Sequence, residues 1–138
     1  MSSPNDWNKK IIEEFRANDG KVGGFFKDTT LLLLHTTGAK SGKQRVNPAV
    51  TIMDGDRYVV IASKGGTPTN PDWYYNLVEN PTVTIEVGTE VFKATASVTE
   101  EPERSTLYKK MAANFPAFEE YKHKTTRTIP VVTLNRRA

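Results

Sequence analysis

Cysteine is absent from the 138 residues. That one absence excludes a disulfide scaffold, a thiolate zinc site, an iron–sulfur cluster and a cysteine nucleophile. Histidine is scarce as well: the two present, His35 and His123, are too few for a histidine-rich centre, and no metal site is expected. Long apolar runs are missing. The four leucines of residues 31–34 fall far short of the ~20 residues of a membrane span. The first seven residues show no basic start followed by an apolar stretch, so no secretory signal is read and a cytoplasmic location is expected. Also lacking are the HExxH, EF-hand and Walker A patterns and a serine nucleophile elbow, which leaves hydrolase and NTPase chemistry without a foothold.

What is present describes one ordinary domain. Apolar residues make up 37% and charged residues 25%, which excludes a disordered chain of low hydrophobicity. A single core at this length buries roughly 68% of the surface of the unfolded chain, so no covalent staple is required. The net charge of +3 is unevenly spread. Residues 40–64 carry Lys40, Lys43, Arg45, Arg57 and Lys64 against Asp54 and Asp56, and residues 122–138 carry Lys122, Lys124, Arg127, Arg136 and Arg137 with no acid. Two basic stretches of this kind are solvated faces, or they meet around an anionic ligand. The excess is too mild to require nucleic acid.

Periodicity gives the order of elements. Ser3, Pro4 and Asp6 open a helix, Trp7, Ile11 and Phe15 form its apolar stripe, and Gly20 stops it. Packing on the domain is the plain reading of that stripe; its lysine flanks also suit contact with a membrane surface. Residues 29–37 read as a strand covered on both sides. Residues 45–53 read as a second strand interrupted by the edge residue Pro48, and Asp54-Gly55 turns it into a third over 57–63. Asn70 as cap and Pro71 as first position start a short helix through Val78 that ends before Pro81. Strands over 82–87 and 91–98 form a hairpin around Gly88-Thr89. Thr99 caps a helix over 102–114 with Leu107, Tyr108 and Met111 inward. Phe115, Phe118 and Tyr121 then follow at spacing three, and 128–134 is the last strand. Six strands, mostly antiparallel, with helices between groups of strands, predict an α+β fold: a small barrel with flanking helices, not a parallel sheet. Residues 1–28 read as an N-terminal helix and linker, and residues 29–138 as the barrel, within one domain.

The chemistry lies in loops rich in amides and cations. Gly38-Ala39-Lys40-Ser41-Gly42 and Ser63-Lys64-Gly65-Gly66 offer unhindered N–H groups and lysines, which suit phosphate or carboxylate. The helix start at Asn70-Pro71 adds a dipole terminus. Trp73, Tyr74 and Tyr75 form one aromatic cluster; Phe115, Phe118 and Tyr121 form another, either core or the wall of a flat apolar pocket. His35 reads as a structural histidine and His123 as solvated or as a phosphate contact. A barrel that binds a phosphorylated planar ligand, with few acid–base residues of its own, points to redox chemistry supplied by a cofactor.

Several stretches resemble the deazaflavin-dependent nitroreductase family of actinobacterial flavin/deazaflavin oxidoreductases. They are residues 34–42, Arg45 with Pro48, residues 62–66 and, most specifically, Asn70-Pro71-Asp72-Trp73-Tyr74-Tyr75-Asn76-Leu77 ending in Asn80-Pro81. The resemblance implies a split β-barrel of the FMN-binding type and coenzyme F-420, a phosphorylated deazaflavin with an oligoglutamate tail. It implies that Ala39, Lys40, Ser41 and Arg45 hold the phosphate and tail, and that Val46, Asn47, Pro48, Ala49 and Val50 lie along the ring system. Ile61, Ala62, Ser63 and Lys64 would contact its ring and ribityl side, and Asp72, Trp73, Tyr74, Tyr75 and Asn76 would close the site. It further implies hydride transfer from the reduced deazaflavin to a quinone or a nitroaromatic, the reacting atoms held about 3.5 Å apart. Ser63 and Tyr121 are the candidate catalytic residues, with Phe115, Phe118 and Tyr121 on the substrate. Relatives that reduce nitroimidazoles carry tyrosines along this last stripe; two phenylalanines here remove two hydroxyl donors and favour an apolar quinone pocket. FMN on the same barrel, or a non-catalytic cofactor or lipid carrier, are the alternatives. The expected assembly is a monomer or homodimer, and helix contact with the inner face of the membrane would bring it near menaquinone.

Overall fold

The computed structural model describes residues 4–24 and 29–137. Along the chain, α1 (Pro4–Ala17) precedes β1 (Leu31–Thr37), β2 (Gln44–Val50), β3 (Ile52–Asp54) and β4 (Arg57–Ile61). After a 3-10 turn at Lys64–Gly66 come α2 (Asp72–Glu79), β5 (Thr82–Val87), β6 (Glu90–Val98), α3 (Glu103–Asn114), α4 (Ala117–Lys124) and β7 (Val131–Arg136). The strands form one sheet in the order β2-β1-β5-β6-β7-β4-β3. Every neighbouring pair is antiparallel.

The sheet has seven strands, not the six expected, because residues 45–53 divide between its two opposite edges. The break falls at Thr51 and not at Pro48. Pro48 stays in register opposite Leu33 on edge strand β2, where a missing N–H is tolerated. The amide of Thr51 donates to the Thr30 carbonyl at 3.0 Å, and its hydroxyl donates to the Val59 carbonyl at 2.9 Å. Thr51 is thus a buried seam that draws both edges together and curls the sheet into a half-barrel.

Alternation along β1 serves two layers at once. Leu32 and Leu34 enter the barrel interior with Val60, Ile85, Val132 and Leu134, capped by Trp73 and Leu77 of α2. Leu31 and Leu33 face outward, under Phe15 and Val22. Each such leucine contributes about 2 kcal/mol by leaving water. A third cluster joins Val59, Ile61 and Val131 to Leu107, Tyr108 and Met111 of α3 and Phe118 of α4.

Helix α1 ends at Ala17, and the chain turns through Gly20, whose φ is +94°. A Cβ there would lie 2.8 Å from the Gly88 Cα, so the turn needs glycine. Of the expected stripe, Ile11 and Phe15 pack inward, Phe15 being 1% exposed; the Trp7 side chain and the Ser3 cap lie outside the described residues. An apolar face spent on the domain gives membrane contact no support from these two residues. Among the described residues no helix is long and apolar enough to cross a membrane.

Two expected caps have other work. The residues preceding α2 and α3 are Pro71 and Pro102, which have no capping side chain; in α3 it is Glu101 Oε1 that accepts from the Ser105 amide at 2.9 Å. The Asn70 carboxamide oxygen accepts from Arg127 Nη1 at 2.6 Å, and the Thr99 hydroxyl donates to the Val131 carbonyl at 2.9 Å.

Candidate active site

The turn between β1 and β2 closes on itself. Gly38 N donates to Lys43 O at 2.8 Å, Gly42 N donates to Gly38 O at 2.9 Å, and Lys43 N donates to Ser41 Oγ at 3.2 Å. Helix α2 then anchors it. Asn76, 8% exposed, accepts from the Ala39 amide at 3.0 Å through Oδ1 and donates from Nδ2 to Thr36 Oγ1 at 3.1 Å. Both halves of this carboxamide are consumed by the protein. Its role is to fix the turn's place beside the helix.

Between this turn, the first half of β2, the start of α2 and one face of α1 lies a cleft of about 1030 Å³, at the upper end of the ~300–1,000 Å³ usual for small-molecule sites. It gathers Ala39, Lys40, Ser41, Arg45, Val46, Asn47, Asp72, Tyr75 and Asn76 from the sequence-derived set. Sequence reasoning missed Asn8, Lys9 and Ile12 of α1 and Gln44 of β2, which line it too. Nothing in a solvated helix face announces such a role; only the docking of α1 beside β2 does. Lys9, Lys40 and Arg45 have no ion-pair partner among the described residues. Asp72 is the one carboxylate among the lining residues.

A second cavity of about 320 Å³ lies at the far end of β2, lined by Val50, Thr51, Ile52, Tyr58, Lys110 and Phe115 among others. Pro48 and Ala49 occupy the strand between the two cavities. Strand β2 therefore runs from the cationic cleft to a smaller cavity.

Other residues of the set lie elsewhere. Ala62 and Trp73 are barrel core, and Ile61 and Phe118 belong to the cluster under α3. Tyr74 packs against the core and meets Tyr75 edge-on, ring centres 5.5 Å apart. The Ser63 carbonyl accepts from Arg127 at 2.8 Å and from Gly66 N at 2.9 Å. Lys64 is exposed with a left-handed φ of +48°. The rings of Phe115, Phe118 and Tyr121 form a T-shaped ladder with spacings of 5.5 and 5.4 Å. Of the three, Phe115 lines the smaller cavity, while neither Phe118 nor Tyr121 lines that cavity or the cleft. Tyr121 sits against Gly66: a Cβ on that glycine would lie 2.9 Å from the Tyr121 carbonyl oxygen. Ser63 and Tyr121 thus approach the same 3-10 turn from two sides.

Burial raises the Tyr121 phenol above its ordinary range, with the nearby Glu120 charge adding to it. Burial likewise pushes Tyr108 up to about 12; its hydroxyl donates to the Phe118 carbonyl at 2.6 Å and so holds α4 on α3. His35 is structural, its Nε2 being 2.6 Å from Glu86 Oε2. His123 is exposed and pairs with Glu119 at 3.3 Å.

The second basic stretch does not converge on the cleft. Arg136 pairs with Glu90 and lies 4.1 Å over the Phe92 ring, Arg137 donates to Thr82 Oγ1, and Lys122 pairs with Glu119. Arg127 ties down the loop after β4, donating to the carbonyls of Thr67, Ala62 and Ser63 and to Asn70 Oδ1.

The sequence model of the F-420H(2)-dependent quinone reductase family matches residues 7–136. The chain belongs to this family. It is similar to an F-420H(2)-dependent quinone reductase of Mycobacterium tuberculosis, 39% identical over 127 residues, 89% of this chain and 85% of the relative. Among solved structures it is similar to an F-420-H2-dependent reductase at 40% identity, with a TM-score of 0.70 over 76% of this chain and 93% of that one. A second neighbour, described as a domain-swapped dimer, is 36% identical with a TM-score of 0.72 over 96% of this chain and all of that one. These likenesses make the curled sheet of this quinone reductase family member a split barrel.

The residues present fit the cofactor of the family name. A phosphorylated deazaflavin with a carboxylate tail needs several unpaired cations around its cleft, and the Lys9, Lys40 and Arg45 side chains supply them.

Proposed function

We propose that this protein binds coenzyme F-420 in the 1030 Å³ cleft and reduces a quinone beside it. The observation that carries this reading is the set of three cations on one cleft, none paired within the described protein, in a chain of this family. When bound, the reduced deazaflavin supplies a hydride. The protein supplies position and surroundings.

Lys40 and Arg45 neutralise the phosphate and the acidic tail, each contact being a charge-assisted hydrogen bond. The turn that presents Lys40 is held by Asn76, so these charges are fixed before the ligand arrives, and little ordering remains to be done on binding. Asn47, Pro48, Ala49 and Val50 of β2, between the cleft and the smaller cavity, are the residues that would hold the ring system. In the smaller cavity Val50, Ile52, Tyr58 and Phe115 give the acceptor an apolar wall that excludes water. Reducing a quinone to a quinol takes one hydride and one proton in the first instance. Tyr121, its phenol held protonated by burial, and Ser63 are the candidate proton donors, both brought to the same 3-10 turn. Nitroaromatics are the secondary acceptors. Self-association as a homodimer is the assembly to test by light scattering, given the domain-swapped relative.

Titration of the protein with F-420, followed by deazaflavin fluorescence and run against FMN, tests the cofactor. Saturable micromolar or tighter binding of F-420 alone is expected, followed by oxidation of its reduced form on adding menadione. Lys40→Ala should weaken cofactor binding about tenfold with a smaller effect on turnover at saturation. FMN binding in place of F-420, or no loss in Lys40→Ala, would remove the assignment.

A further inference from the structure

Helix α1 does more than cover the sheet. Its residues Asn8, Lys9 and Ile12 line the large cleft together with Lys40 of the β1–β2 turn and Arg45 of β2. Lys9 is exposed and makes no hydrogen bond or ion pair with any described residue. By its sequence surroundings it belongs to an ordinary wet face. The cleft gives it a second identity.

The helix is seated so that this face cannot drift. Phe15 is buried among Val22, Leu31 and Leu33, with Ile11 and Ile12 packed beside it. In the last turn of the helix, Arg16 donates to Glu86 from Nε at 3.2 Å and from Nη2 at 2.7 Å, and Glu86 in turn lies 2.6 Å from His35 of β1. Arg16 is seven positions beyond Lys9. At 100° per residue that separation is within about 20° of two full turns, so both lie on one edge of the helix, roughly 10 Å apart along its axis. The clasp that turns Arg16 onto the sheet therefore also turns Lys9 into the cleft.

Three cations from α1, the β1–β2 turn and β2, around one cleft of about 1030 Å³, match a ligand whose negative charges are spread along its length. A compact single phosphate would not need all three. We infer that Lys9 is a cofactor-binding residue that holds the carboxylates of the cofactor tail, and that α1 is a wall of the cofactor cleft. This rests on the F-420 reading above.

The test compares two ligands and three proteins by fluorescence titration: F-420 with its oligoglutamate tail, and the tail-free, phosphate-free deazaflavin riboside; the wild-type protein, Lys9→Gln and Lys10→Gln. Lys10 carries the same charge on the same helix but does not line the cleft. Lys9→Gln should weaken tailed F-420 roughly threefold to tenfold, flatten the dependence of its affinity on salt, and leave the riboside unchanged. Lys10→Gln should match the wild type for both ligands within about twofold, since its charge is screened at ordinary ionic strength. Amide exchange in α1 should slow when tailed F-420 binds. Equal affinity of Lys9→Gln and wild type for tailed F-420 would overturn the inference alone, as would equal losses in Lys9→Gln and Lys10→Gln. If the wild type bound neither deazaflavin, this inference and the cofactor reading would fall together.

Discussion

Asn76 and Thr36 are joined across 40 positions of sequence by a buried hydrogen bond of 3.1 Å from Nδ2 to Oγ1. The other end of the same carboxamide receives the Ala39 amide at 3.0 Å. One side chain on α2 thereby locks the strand and the turn that present Lys40 and Arg45 to the cleft. The local sequence explains the placement: Pro71 ends the extended loop, α2 begins at Asp72, and Asn76 falls one turn later beside the buried Trp73 and Leu77.

Replacing Asn76 separates stability from binding. Asn76→Leu strands the Thr36 hydroxyl and the Ala39 amide and should cost about 2–3 kcal/mol, together with much of the cofactor affinity. Asn76→Asp still accepts from Ala39, and the Thr36 hydroxyl rotates to donate to the new carboxylate. It should stay within about 1 kcal/mol of the wild type yet lose about tenfold in F-420 affinity, because it adds an anion to a cationic cleft. Urea denaturation and fluorescence titration of both variants read the two effects separately.

Much of this arrangement is legible in the sequence. The four leucines of β1, the Asp54-Gly55 turn, the Gly88-Thr89 hairpin and α2 all lie where periodicity and turn chemistry put them, because each is decided by neighbours a few residues away. The seam at Thr51 is not legible, since its hydroxyl is paired with Val59 on a strand reached only after the sheet has curled. For the same reason the Asn70 and Thr99 side chains look like caps and are not. Both partners, Arg127 and Val131, arrive from the other end of the chain. The site divides likewise: the loop at 38–42 could be read from its glycines and lysine, but Lys9 needed the tertiary docking of α1.

Arg127 looks like a ligand cation in the sequence and is a strut in the fold. Its guanidinium makes four hydrogen bonds to the loop between β4 and α2, a planar fork that lysine does not reproduce. Arg127→Lys keeps the charge and should lose about 3 kcal/mol of stability, near 1 kcal/mol for each hydrogen bond forfeited. The salt dependence of F-420 affinity should be unchanged in this variant. A changed salt slope with unchanged stability would return Arg127 to the ligand.

Gly66 holds the 3-10 turn against α4. Its φ of +83° lies in the left-handed region, and a Cβ there would meet the Tyr121 carbonyl oxygen at 2.9 Å and the Tyr121 Cα at 3.1 Å. Backbone cannot step aside as a flexible side chain can. Gly66→Ala should therefore cost about 3 kcal/mol and displace Tyr121. Thermal unfolding checks the first effect, and a fall in quinone turnover with F-420 affinity kept checks the second.

Tyr121 closes the aromatic ladder at its half-buried edge, and burial keeps its phenol protonated beyond the ordinary range. Tyr121→Phe preserves the ring stacking and removes only the hydroxyl. Quinone turnover should fall about tenfold or more, while the F-420 dissociation constant moves less than twofold. Equal losses in the two would count against a role on the acceptor side.

Glu86 links α1 to β1, and its titration gives that link a pH window. The Arg16 guanidinium, and after it the His35 ring, hold the Glu86 carboxyl below the ordinary value of 4.5. A carboxyl depressed in the folded state contributes stability above its unfolded pKa and loses it as the pH falls through the lower, folded value. Glu86→Gln removes the charge at every pH. The variant should thus be about 2 kcal/mol less stable than the wild type near neutrality. As the pH drops below 4.5 the difference should shrink, because the wild type loses the same interaction by protonation. The clasp also sets the rotation of α1, so Glu86→Gln should weaken tailed F-420 at neutral pH while leaving the tail-free riboside alone. Thermal unfolding of both proteins from pH 3 to pH 8 measures the window. A stability difference that stayed constant across that range would mean that Glu86 acts through packing and not through its charge.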